Sequence, residues 1–120
     1  MDLGLNDKVV IVTGGAKGIG EGISRVLAAE GASVAIVGRN EEDNRKLVKE
    51  IQQNGGNAYP FTAELTKPEE CERTIRDIIS ALGRINGLVN NAGLNDGVGL
   101  ETGNYERFMQ SMHNNIVHYY

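Results

Sequence analysis

A β-branched run, Lys8-Val9-Val10-Ile11-Val12-Thr13, ends in glycines and opens at once into a helical pattern, and this junction constrains the chain more than any other feature. Gly14, Gly15, Gly18 and Gly20 crowd the turn. Beyond them Ile19, Ile23, Val26 and Leu27 recur at helical spacing and are expected to face inward, with Gly31 as the stop. The run is continuous rather than alternating, as in a strand covered on both faces. Glycines placed here let the backbone turn tightly and approach a ligand, while the helix N-terminus offers unpaired N–H groups and partial positive charge. That combination suits a pyrophosphate. It is not the P-loop of ATPases, because Glu21 follows Gly20 where that motif needs Lys and Ser or Thr.

The rest of the chain repeats the strand–helix alternation of a parallel α/β sheet. Ser33 to Val37 reads as a second strand. Asn40 caps a helix whose first turn, Glu41-Glu42-Asp43, complements the helix dipole; Leu47, Val48 and Ile51 face inward and Asn54-Gly55-Gly56 ends it. Asn57 to Thr62 is a third strand, interrupted by Pro60, which cannot donate to a ladder. Thr66-Lys67-Pro68-Glu69 has the form of a capping box, and its helix is expected to bury Cys71, Ile75, Ile78, Ile79 and Leu82 before stopping at Gly83. Gly87 to Asn91 is a fourth strand. From about Asn104 a last helix shows Phe108, Met109, Met112, Ile116 and Tyr120 on one face. With right-handed crossovers the strand order is 3-2-1-4, half of a doubly wound Rossmann-type α/β sheet.

Composition narrows the class further. The 120 residues suffice for one domain, and 40% hydrophobic with 23% charged residues is ordinary for a globular chain. A net charge of −4 argues against nucleic acid or an anionic membrane surface as partner. No basic, apolar leader and no spanning apolar run is visible. Cys71 is the single cysteine, and no Cys/His spacing resembles a metal site, so no metal is expected. A reducing, cytoplasmic location follows as the expectation.

Thr-Gly-x-x-x-Gly-x-Gly, here Thr13 to Gly20, together with Asn90-Asn91-Ala92-Gly93 at the end of the fourth strand, resembles the short-chain dehydrogenase/reductase family over essentially the whole chain. The resemblance implies an oxidoreductase that transfers hydride between a nicotinamide cofactor and an alcohol or carbonyl carbon. It implies cofactor contacts at Gly14, Lys17, Gly18, Ile19 and Gly20 in the turn, and at Asn91, Ala92 and Gly93 in the second signature, where Ala-Gly passes the adenosine ribose. By the same resemblance the first asparagine, Asn90, holds the central sheet. At the third strand's end the family usually has an aspartate near the adenine amino group; here stand Glu64 and Leu65, and Glu64 either reaches the base or is an ordinary solvated carboxylate.

The choice of cofactor turns on the second strand's end, where an NAD site places an acid on the ribose hydroxyls. Val37-Gly38-Arg39-Asn40 contains none. Arg39 instead offers a planar fork to a 2′-phosphate, and Lys17 adds a second cation, each contact being worth roughly 1.5–3 kcal/mol. The alternative is an Arg39 that begins a solvated helix and a Lys17 that is surface charge. The expectation is NADP in preference to NAD.

A family member's proton chemistry uses a serine, a tyrosine whose pKa a nearby lysine lowers, and a helix asparagine that extends the relay through water. Asn115 matches that asparagine, with Asn114 as a competitor. No Tyr-x-x-x-Lys exists: Tyr59 is followed four later by Ala63, Tyr105 by Met109. His113 and His118 have no partner set for a triad and read as helix-packing residues. The last helix is still in period at Tyr120, so residues 1–120 are expected to be a single dinucleotide-binding domain cut within that helix, from a homo-oligomeric parent about twice as long. For substrate, Asn95-Asp96-Gly97 with Asn115-Ile116-Val117-His118-Tyr119-Tyr120 is similar to sugar dehydrogenases of the L-fucose-oxidising kind. A 3-oxoacyl-thioester reductase is the alternative, and a dinucleotide-binding module without catalysis the other class.

Overall fold

A computed structural model describes residues 2–94, 99 and 101–117. The element order is β1 (Val9–Thr13), α1 (Gly18–Ala29), β2 (Ser33–Gly38), α2 (Glu41–Gln53), β3 (Asn57–Thr62), α3 (Pro68–Leu82), β4 (Gly87–Val89) and α4 (Tyr105–Asn115). The strands form one parallel sheet in the order β3-β2-β1-β4, as the alternation of strands and helices predicts. Pro60 is accommodated because β3 is an edge strand, where one side of the backbone needs no ladder partner.

Each inner strand feeds both faces of the sheet. Val10, Val12, Val34 and Ile36 pack with Leu47, Val48 and Ile51 of α2 and Ala28 of α1. Val9, Ile11, Ala35 and Val37 pack on the other face with Ala63 and Ile78 of α3. Such two-sided burial is why these strands read as unbroken apolar runs.

The helices sit differently from what their periodicity predicts. In α1 the buried positions are Gly20, Ser24 and Ala28, with Ile23 and Leu27 packed beside them, whereas Ile19 and Val26 face outward. Small residues let this helix lie against the glycine turn: Ser24 Oγ donates to the Gly15 carbonyl at 3.0 Å. In α3, Thr74 and Ile78 are buried and Leu82 packs on the core, Cys71 is half-buried, and Ile75 and Ile79 are exposed. The expected Thr66 cap does not form. Lys67 is the N-cap without a side-chain bond, and Thr66 Oγ1 donates instead to Glu64 Oε1 at 3.0 Å. Pro68 does take the first helical turn. No residue of α4 is buried; Phe108, Met109 and Ile116 are exposed, and Tyr119 and Tyr120 lie outside the described residues. The fourth strand stops at Val89, which leaves Asn90 and Asn91 in the loop.

Asn44, 1% exposed, ties the ends of two strands by donating to the carbonyls of Gly38 (3.1 Å) and Phe61 (3.4 Å). Asn44→Ala removes this donor from both carbonyls, leaving Gly38 only its bond from the Ala63 N–H, and is expected to lower the unfolding free energy by about 1–2 kcal/mol. Urea denaturation followed by circular dichroism checks this; a shift below a few tenths of a kcal/mol would contradict it.

Candidate functional site

Beyond the C-terminal ends of the strands, where a doubly wound sheet carries its ligand, lies a cavity of about 310 Å³. Every strand contributes the residues that follow it: Gly14 after β1, Arg39 after β2, Glu64 and Leu65 after β3, and Asn91, Ala92 and Gly93 after β4. The topology assembles this set because the crossovers return the chain to the same end of the sheet each time.

Thr13 joins the two signature segments. Its hydroxyl donates to the Val89 carbonyl (3.3 Å) and accepts from the N–H groups of Asn91 (3.0 Å) and Ala92 (3.1 Å). The Asn91 side chain donates to the Gly14 carbonyl at 3.2 Å, and Gly14 N–H donates to the Val37 carbonyl at 2.8 Å. Asn91, not Asn90, therefore holds the sheet to the turn, and Asn90 is exposed.

Three glycines of the turn are required by geometry, Gly15 because a Cβ there would lie 2.8 Å from the Val12 carbonyl oxygen. Gly14 sits at φ +62, and a Cβ there would lie 3.0 Å from the Ala92 Cα. A Cβ at Gly20 would overlap the Gly14 carbonyl oxygen and come within 2.5 Å of Asn91 Nδ2. Gly18 also has positive φ, +54, but open space around it. Lys17 caps α1 without a side-chain hydrogen bond, whereas Asn40 and Asn104 each accept an N–H at the start of α2 and α4. The first turn of α1 thus keeps its donors for something else. Gly18, Ile19 and Gly20, all expected at the site, do not line the cavity, and Ile19 is 77% exposed.

Both cations expected at the site line the cavity, and each faces a carboxylate. Lys17 Nζ lies 2.9 Å from Asp43 Oδ2, and Arg39 Nη1 3.8 Å from Glu64 Oε2. Glu64 is itself fixed by the Thr66 N–H (3.3 Å) and hydroxyl, and Glu70 Oε1 accepts from Glu64 N–H (3.2 Å). Sequence reasoning missed Asp43 as part of the cavity, because it reads equally well as a first-turn acid on a surface helix. It missed Asn44 and Thr66 as well.

Asn115 does not line the cavity; its neighbour Asn114 does. The Asn115 amide clamps the loop after the second signature, accepting from Leu94 N–H (2.6 Å) and donating to the carbonyls of Leu94 (3.0 Å) and Ser111 (2.9 Å). His113 Nε2 lies 3.1 Å from the Thr66 carbonyl oxygen, which ties α4 to the β3–α3 loop. Asn95, Asp96, Gly97 and His118 lie outside the described residues. Burial and the nearby Glu70 push the Cys71 thiol up, so it is poorly reactive near neutrality. Among the described residues no three His, Cys, Asp or Glu side chains group as metal ligands, and no helix is long and apolar enough to cross a membrane.

A parallel 3-2-1-4 sheet with a glycine turn hydrogen-bonded to an Asn-Ala-Gly loop defines a doubly wound α/β class, and comparison with known proteins makes it specific. The chain belongs to the short-chain dehydrogenase family, whose sequence model matches residues 8–120. It is 35% identical over 111 residues to the 3-oxoacyl-[acyl-carrier-protein] reductase of Bos taurus, covering 92% of this chain and 46% of that protein. The citronellol catabolism dehydrogenase of Pseudomonas aeruginosa PAO1 superposes with a TM-score of 0.88 at 32% identity, covering 95% of this chain and 46% of that one. A metagenomic short-chain oxidoreductase in complex with NADP gives 0.86 at 31% identity, covering 95% and 52%. The chain thus spans about half the length of these relatives.

Proposed function

We propose that this chain is the cofactor-binding part of an oxidoreductase that moves hydride between NADP(H) and a small secondary alcohol or carbonyl compound. The observation that carries the reading is the pairing of a phosphate-ready glycine turn with two cations, Lys17 and Arg39, on one cavity whose β2 end bears no acid. The dinucleotide would take up the hydride at its nicotinamide C4 when an alcohol is oxidised, and its reduced form would give the hydride back when a carbonyl is reduced. The residues fit it: the turn of Gly14, Gly18, Ile19 and Gly20 presents backbone N–H groups to the pyrophosphate, and Arg39 and Lys17 meet the 2′-phosphate. Ala92 and Gly93 keep the ribose wall flat. Glu64 and Leu65 border the adenine end. Asn115 would act by positioning the Leu94 loop, which it holds through two hydrogen bonds.

Titration of the intact protein with both dinucleotides tests the reading. NADP is expected to bind about tenfold or more tightly than NAD, and Arg39→Ala is expected to erase about that factor for NADP alone. Equal affinities that Arg39→Ala leaves unchanged would sink it.

For the substrate, the bovine relative favours a second reading, reduction of a 3-oxoacyl thioester. A screen of acetoacetyl thioesters with NADPH against aldoses and simple secondary alcohols with NADP separates the two. The same reading carries a cytoplasmic homo-oligomer, which size-exclusion chromatography of the intact protein checks. Dinucleotide binding without turnover of any of these compounds would instead mark a binding module.

A further inference from the structure

We propose that Asp43 is a brake on NADP binding: it holds Lys17 in an ion pair that must open before the ammonium can serve a 2′-phosphate, and so sets how far the site prefers NADP over NAD. The proposal rests on the cavity being a dinucleotide site.

The two cations are held unequally. Arg39 lies 3.8 Å from a carboxylate that already has other partners, since Thr66 donates to Glu64 through its N–H and its hydroxyl. Turning Arg39 toward a phosphate leaves Glu64 bonded. The pair of Lys17 with Asp43 is closer, 2.9 Å, and Asp43 Oδ2 is shielded from water with no other hydrogen-bond partner among the described residues. Both residues line the cavity, Lys17 from the glycine turn and Asp43 from the first turn of α2.

Recruiting Lys17 therefore has a consequence that recruiting Arg39 lacks. Asp43 Oδ2 loses the one counter-charge that pairs with it among the described residues, and it then faces the incoming dianion. NAD has a hydroxyl at the same ribose position and leaves the pair closed. Asp43 weakens one dinucleotide and is indifferent to the other. The opposite assignment, in which Asp43 aims Lys17 at the phosphate, predicts the reverse change on its removal.

The test uses the intact protein, titrated with NADP and with NAD at one low ionic strength. Asp43→Asn keeps the side-chain shape and the backbone N–H that Asn40 Oδ1 accepts. It is expected to tighten NADP about five- to tenfold while NAD moves less than about twofold, the size of one relieved like-charge contact in a partly exposed site. Unchanged or weaker NADP binding in Asp43→Asn overturns the proposal, and so does equal tightening of both dinucleotides. Asp43→Ser repeats the measurement if the asparagine variant does not fold. Wild-type protein that binds neither dinucleotide overturns the reading of the site itself, a result distinct from any of these.

Discussion

Gly20→Ala is expected to cost about 3 kcal/mol or more of stability and to abolish measurable dinucleotide binding. A Cβ at this position would overlap the Gly14 carbonyl oxygen, lie 2.8 Å from the carbonyl carbon and 2.5 Å from Asn91 Nδ2. None of these atoms is the free end of a flexible side chain. Gly14 is pinned by its N–H bond to Val37 and by its φ of +62, and Asn91 Nδ2 is held on the Gly14 carbonyl. Relief requires α1 to withdraw from the turn, which separates Ser24 from Gly15 and moves the helix N-terminus away from the glycines it follows. The matched control is Gly22→Ala two residues on, where nothing lies within 4 Å of the added carbon. That substitution is expected to stabilise by up to about 1 kcal/mol, because alanine is the better helix former. Denaturant midpoints for the two variants measure the contrast. Similar midpoints for both would show that α1 does not seat on the turn as described.

How far the sequence discloses this architecture depends on the range of the interaction concerned. The strands and most helix limits were legible because they follow from local features: unbroken runs such as Val9 to Val12, the Asn40 and Asn104 caps, and the glycine stops at Gly31 and Gly83. The glycine turn and the Asn-Ala-Gly segment were legible as motifs. The inward faces of α1 and α3 were not. Periodicity counts apolar residues, whereas α1 seats through Gly20, Ser24 and Ala28, whose small size permits the close approach. Ile19 and Val26 are apolar and yet point away. The same limit explains Asn90 and Asn91: adjacent identical residues differ only in which side of the chain they project from, and that depends on where β4 stops. The Lys17–Asp43 pair joins residues from separate elements, and nothing within either segment signals the other.

Thr13→Val is expected to lower stability by about 2–4 kcal/mol and to weaken dinucleotide binding along with it, although the substitution hardly alters volume. Threonine at the end of a β-branched strand looks interchangeable with valine on packing grounds. The hydroxyl is what the site uses. It donates to Val89 and accepts from Asn91 and Ala92, which fixes the second signature loop against the first turn across the β1–β4 pair. Thr13 is 6% exposed, so little water can take over those bonds. Valine deprives the Asn91 N–H and the Val89 carbonyl of this partner and presents a methyl group to both. The Asn91 side chain then has no fixed backbone from which to hold the Gly14 carbonyl, and the cavity loses the relation between its two glycine-bearing walls. Thr13→Ser keeps the hydroxyl and gives up one methyl group, so it is expected to retain dinucleotide affinity within about threefold at a cost near 1 kcal/mol. The serine variant separates hydrogen bonding from packing. If valine and serine lower the affinity equally, the hydroxyl is not what joins the two segments. If only valine does, the site depends on one oxygen atom shared between its two signatures.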